Sequence, residues 1–88
     1  MSDYISTIIQ RYEADLKKVQ HDGYALHYVQ EQTYELCLAA VQKNGWALEY
    51  VKEQTYELCL AAVQQNGWAL HYVEDPLLRE KLKLELNL

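Results

Sequence analysis

No stretch of this sequence is apolar for anything near the roughly 20 residues a helix needs to cross a bilayer. Cations are scarce: eight Lys and Arg stand against 13 Asp and Glu, for a net charge of −5. The first lack argues against a membrane span. The second makes direct binding of nucleic acid a poor expectation, because acid repels phosphate. The opening MSDYISTIIQRYEADLKK carries Asp3 and no cationic start, so it does not read as a secretory signal, and a cytoplasmic protein is expected. Three isolated glycines build no phosphate loop, and no Ser-His-Asp or Cys-His arrangement offers an activated nucleophile. An enzyme is therefore not expected.

Half the residues are hydrophobic, which suits one folded domain of 88 residues rather than a disordered chain. The charge is uneven. Residues 19–78 hold eight acids against Lys43 and Lys52, whereas both ends are close to neutral. An acidic middle suits a basic protein partner, or solubility alone.

The dominant feature is an internal repeat of 22 residues. Residues 32–53 read QTYELCLAAVQKNGWALEYVKE, and residues 54–75 repeat them except at 54+11, 54+17, 54+20 and 54+21, the positions of Gln65, His71, Glu74 and Asp75. Residues 10–31, QRYEADLKKVQHDGYALHYVQE, are a more divergent first copy. Each unit reads as a helix, a glycine break and a short helix. Thr33 and Thr55 suit N-caps. Tyr34, Cys37, Leu38, Ala40 and Val41 share one wide apolar arc. Gly23, Gly45 and Gly67 are expected to hold a left-handed backbone that stops the helix, with Trp46 then packing on Val41, Trp68 on Val63 and Tyr24 on Val19. Ala47, Leu48 and Val51 should turn inward from the short helix.

The first copy has Asp15 and Lys18 where the second has Cys37 and Ala40, as a terminal unit with one wet side would. Arg11 replaces the capping Thr, so the first helix should run from about Ser2 or Asp3, with Ile5, Ile8, Ile9, Tyr12, Leu16 and Val19 on its apolar side. At the other end Asp75-Pro76 is a helix start, and a truncated fourth unit would bring Leu78 and Leu82 into register with Tyr34 and Leu38. The tail KLKLELNL alternates like a strand, but its residues are good helix formers, so helix is expected to about Leu84. Paired tails in a dimer remain the alternative.

The expected architecture is all-α: a short right-handed or weakly curved α-solenoid of about seven helices. It forms a single domain over residues 1–88. The helix extension covers 1–9, the repeats 10–31, 32–53 and 54–75, and the C-terminal cap 76–88. The strings LAAVQKNGWALEYV and LAAVQQNGWALHYV resemble a microbial and viral helical-repeat family known only as a domain of unknown function, whose units carry a similar Ala-Val, Asn-Gly, Ala-Leu and Tyr spacing. The resemblance implies an intracellular microbial, phage or giant-virus protein, in the last case one of the host cytoplasm, and it brings no catalytic residues.

No cofactor or metal is expected. Cys37 and Cys59 sit at equivalent heights, about 8–10 Å apart in a helical stack, too far for a disulfide and best read as buried, inert thiols. His27 and His71 share a register but are two units apart, which precludes a common ion.

What remains is a surface. Opposite the apolar arc lie Glu13, Glu35 and Glu57 in one column and Gln20, Gln42 and Gln64 in another, with Glu31, Glu53 and Asp75 forming a second acidic column. The leading expectation is a protein-interaction module that docks a basic protein or peptide on Glu13, Glu35, Glu57, Gln42, Gln64 and Glu53. One alternative is a small phage-type inhibitor that presents acids where phosphates would sit. Its one acid per about 8–10 Å of stack is sparse beside one charge per about 1.7 Å of duplex axis. The other is a structural unit that self-assembles through its ends or tail. A solvated face with no partner is the plain reading of the same columns.

Overall fold

The computed structural model describes residues 2–88, and it is built of helices. Helix α1 spans Ser2–His21, α2 Tyr34–Lys43, α3 Tyr56–Gln65 and α4 Pro76–Leu86. Between them lie three short 3-10 helices: η1 over Gly23–Tyr28, η2 over Gly45–Tyr50 and η3 over Gly67–Tyr72. Among the described residues there is no strand.

Local chemistry accounts for each boundary. The Thr33 hydroxyl accepts the Leu36 N–H at 3.1 Å and the Thr55 hydroxyl accepts the Leu58 N–H at 3.2 Å, so α2 and α3 begin where the sequence predicts. Arg11 cannot cap in this way, and α1 runs through that position as one 20-residue helix. The Asp75 carboxylate accepts the Leu77 N–H at 2.9 Å, with Pro76 in the first turn. The alternating tail is helical to Leu86, two residues beyond expectation, and stops at Asn87 in the left-handed conformation.

The glycines act differently from the sequence expectation. None has a positive φ. The residue before each of Gly45 and Gly67 has extended backbone, and that reversal ends the α-helix while its own carbonyl starts the 3-10 turn, Asn44 C=O accepting the Ala47 N–H at 2.8 Å. Gly23 and Gly45 are glycine for closeness. A Cβ on Gly23 would fall inside contact with the Ala40 carbonyl oxygen, and one on Gly45 would meet the Ala62 carbonyl oxygen in the same way. A Cβ on Gly67, with no further repeat against it, would meet only the Leu88 side chain, at an ordinary contact distance of 3.9 Å. The two tryptophans differ in burial, Trp46 being half-buried and Trp68 exposed. Trp46 lies edge-on to Tyr72 of the next unit at 5.4 Å, and Trp68, 65% exposed, stacks on His71.

Helices α1, α2 and α3 stack in one layer, and η1, η2 and η3 form a second layer beneath it. Each 3-10 helix packs against its own α-helix and against the next one, η3 on α4 less extensively than η1 on α2 or η2 on α3. The core runs between the layers through Val19, Leu26, Leu36, Val41, Leu48, Leu58, Val63 and Val73. Ala47, Leu48 and Val51 are buried, as expected of the short helix. In α2 the buried arc is Leu36, Cys37, Ala40 and Val41. It centres between Ala40 and Cys37, because α2 has neighbours on both flanks as well as below. Leu36 therefore enters the core, and Tyr34, expected there, lies just outside it and is exposed.

Both ends depart from the interior pattern. Ile5, Ile8 and Ile9 are exposed, because α1 projects beyond the start of α2 and nothing covers its first turns. At the other end α4 does not reproduce the packing of α2 and α3. Leu82 is fully buried as a plug, but Leu84, in register with the fully buried Ala62, is 79% exposed. A leucine at that position is too bulky for the close approach that an alanine allows.

Candidate functional site

The acidic columns lie where the repeat puts them. In the wheel of α2, Glu35 and Gln42 point opposite the buried arc, and stacking repeats the direction. Glu13, Glu35 and Glu57 are exposed, as are Gln42, Gln64 and Glu53. The arrangement is more tied than a row of free carboxylates. The Tyr12 hydroxyl donates to Glu35 Oε2 at 2.8 Å across the α1–α2 joint, and that bond pushes the Tyr12 phenol above its usual 10. A similar bond runs from the Tyr56 hydroxyl to Glu85 Oε1 at 2.8 Å, raising that phenol too and anchoring α4. In the second column Glu31, Glu53 and Asp75 are all exposed, and Asp75 also caps α4. The alanines between the glutamate columns, Ala39 and Ala61, are half-buried against the core rather than open to a ligand.

Among the described residues the one ion pair is Lys83 with Glu80, inside α4. Among the described residues no acid of the three repeats has a cation within ion-pair distance. The charge of the middle segment is thus presented to solvent.

Two features go beyond the acidic columns. The first is an aromatic strip along the 3-10 layer, where Tyr28, Tyr50 and Tyr72 share a register. The His27 ring lies 4.6 Å from that of Tyr50, Trp46 meets Tyr72, and Trp68 meets His71. Tyr72 is packed enough that burial, then the nearby Glu49, raises its phenol pKa. The aromatic repetition at 24, 46 and 68 and at 28, 50 and 72 is visible in the sequence, but the contacts between successive repeats are not.

The second is a groove of about 650 Å³ at the N-terminal end, between the projecting half of α1 and the chain that joins η1 to α2. Tyr4, Ile8, Arg11 and Tyr12 line it from the helix, Tyr28 and Glu31 from the joint. A smaller groove of about 240 Å³ recurs one repeat on, lined among others by Tyr34, Cys37, Lys52 and Glu53.

The thiols are as the sequence suggests: both free and buried. Burial raises the Cys37 pKa; burial, then Glu74 and Asp75, push Cys59 up to about 11. Among the described residues no three His, Cys, Asp or Glu come together to hold a metal ion, and no helix is long and apolar enough to cross a membrane.

No curated protein and no solved structure matches the chain. Residues 33–79, more than half of it, match the family model described as a domain of unknown function, DUF4116. The matched stretch takes in the second and third repeats and the start of α4, and the chain belongs to that family.

Proposed function

We propose that this protein is a non-enzymatic, cytoplasmic interaction module that docks a basic protein or peptide along the acidic side of its repeats. The observation that carries the reading is the lack of internal neutralisation. Glu13, Glu53 and Glu57 are exposed, and no repeat acid has an ion-pair partner among the described residues. Exposed, unpaired acids in columns raise the local concentration of a basic partner and speed encounter. A rigid repeat stack holds those columns at fixed spacing.

The test is a pull-down from the source cell, with the wild type and a Glu35→Lys, Glu57→Lys double variant as baits. The wild type should recover basic proteins that the double variant loses, and raising the salt should release them. Equal recovery by both baits would remove the acidic face from the account. The self-assembling alternative draws on one observation, the exposed Ile5, Ile8 and Ile9 at one end and Leu84 and Leu88 at the other. Sedimentation that stays monomeric up to high protein concentration would dispose of it.

A further inference from the structure

The joint that ends each 3-10 helix presents a carbonyl and an amide N–H, and in two of the three repeats a single glutamine side chain closes both. In the second repeat Gln32 Nε2 donates to the Tyr50 carbonyl at 2.7 Å, and its Oε1 accepts the Lys52 N–H at 3.0 Å. In the third, Gln54 Nε2 donates to the Tyr72 carbonyl at 2.8 Å, and its Oε1 accepts the Glu74 N–H at 3.0 Å. The cysteine thiol of the same unit adds a third contact to the glutamine oxygen, at 3.5 Å from Cys37 and 3.6 Å from Cys59.

The first repeat has the same joint without the glutamine. Its turning residue, Val29, has φ −81 and ψ 121, against −76 and 119 at Val51 and −73 and 117 at Val73. The backbone is therefore the same, and it offers the Tyr28 carbonyl and the Gln30 N–H. The glutamine in register, Gln10, is held in the continuous α1 helix and is exposed. Among the described residues nothing pairs with either backbone group. The large groove opens on this joint, with Tyr28 and Gln30 in its wall. Asp15, which replaces the cysteine, lies in the wall as well.

We propose that this groove is a peptide-binding site that takes a glutamine side chain of a partner, whose carboxamide closes the Tyr28–Gln30 joint as Gln32 and Gln54 close theirs. A primary carboxamide is the side-chain group that offers donor and acceptor side by side. A glutamate lacks the donor and meets the Asp15 carboxylate in the groove. Asparagine is one methylene shorter than the residue the other two joints use. The proposal stands on the repeated joint and not on the acidic columns, so the two succeed or fail separately.

The probe is the acetylated, amidated tetrapeptide Glu-Gln-Thr-Tyr, the sequence that closes the third joint, titrated into the full chain and followed by amide NMR. The Gln30 amide should shift saturably, while the Lys52 and Glu74 amides, already paired, stay in place. The same peptide with Glu for Gln should bind at least about tenfold more weakly, since it leaves the joint's carbonyl unpaired. Thr7→Trp, an exposed change in the groove wall, should abolish the shift and leave the rest of the spectrum intact. An unmoved Gln30 amide at millimolar peptide, equal binding of the two peptides, or undiminished binding to Thr7→Trp would each overturn the site.

Discussion

The Asn44 side-chain oxygen accepts the Gly23 backbone N–H at 2.8 Å, which ties the end of α2 to the start of η1 in the repeat before it. One repeat later the same task falls to a different residue. The Gly45 N–H donates to Gln65 Oε1, and Asn66 is released to accept its own Trp68 N–H at 3.0 Å. The difference follows from the position between them. Lys43 has no acceptor to offer, whereas Gln65 has one. Asn44 therefore holds two repeats together, and Asn66 only caps a short helix. Asn44→Ala should cost about 1–3 kcal/mol, because it leaves a partly buried N–H unpaired. Asn66→Ala should cost about 0.5–1 kcal/mol, as an exposed cap does. Chemical denaturation of both variants checks the order, and a reversed order would sink this account of the joint.

The glycines separate in the same way. Gly23→Ala and Gly45→Ala each drive a methyl group into a backbone carbonyl of the next helix, which can yield only if the repeats move apart. A loss of about 1–3 kcal/mol is expected at each. Gly67→Ala meets nothing closer than the Leu88 side chain at 3.9 Å and has an ordinary backbone angle, so it should be neutral or stabilise by up to about 1 kcal/mol. Thermal melts of the three variants decide the matter. If Gly67→Ala fell with the others, closeness between repeats would not be what selects glycine.

Gln54→Glu tests the closed joint directly. The glutamine side chain donates to the Leu48 and Tyr72 carbonyls and accepts from Glu74 N–H and the Cys59 thiol. A carboxylate keeps the acceptor and loses the donor, which sets its charge against two carbonyls. A loss of about 1–3 kcal/mol is expected at neutral pH, recovering as the pH falls far enough to protonate the new acid. A loss that does not change with pH would point to packing instead of pairing.

The repeat period, the Thr and Asp caps and the burial of Ala40, Ala62, Leu26 and Leu48 were legible because each is a local rule repeated in phase. The glycine role was not. A left-handed stop and a close approach to a neighbour both demand glycine, and only the stacked helix shows which applies. The groove and the open joint were hidden for a related reason. Gln32 and Gln54 look like ordinary polar residues before a helix cap, and their reach to a carbonyl 18 residues ahead exists only once the unit has folded back. The swap of partners at Asn44 and Asn66 turns on Lys43 against Gln65, a difference that reads in sequence as surface variation. The acidic columns were legible because outward residues need only the helical wheel, but the tie from Tyr12 to Glu35 needed the distance between neighbouring helices.

Stability should fall as the pH rises above about 9. The Cys59 thiol ionises near 9 in the unfolded chain and near 11 in the folded one, and Cys37, Tyr12, Tyr56 and Tyr72 are shifted in the same upward direction. In that window the unfolded state binds fewer protons than the native state, so unfolding becomes easier with each step in pH. The contribution of Cys59 is present in full below pH 9 and is lost between about 9 and 11. Denaturation midpoints taken from pH 7 to 11 should show this, and Cys59→Ala should flatten the slope. A midpoint constant up to pH 11 would mean the thiol is not held in its neutral form.

The two acidic positions on α2 and α3 should differ in what their reversal does. Glu57→Lys changes an exposed carboxylate with no partner among the described residues, so folding should move by no more than about 0.5 kcal/mol. Glu35→Lys also breaks the bond from the Tyr12 hydroxyl, and the Tyr12 phenol, freed from an acid that raises it, should then titrate lower than in the wild type. An absorbance titration of the phenols reads that shift without any partner. Once the pull-down supplies a partner, both reversals should slow association more than they speed dissociation, since exposed charges act mainly on encounter. The same on-rate should fall with added salt, which screens such charges within about 8 Å at physiological ionic strength. A partner whose association is indifferent to salt and to both reversals binds elsewhere, and the aromatic strip of Trp46, Tyr72 and Trp68 would then be the surface to change.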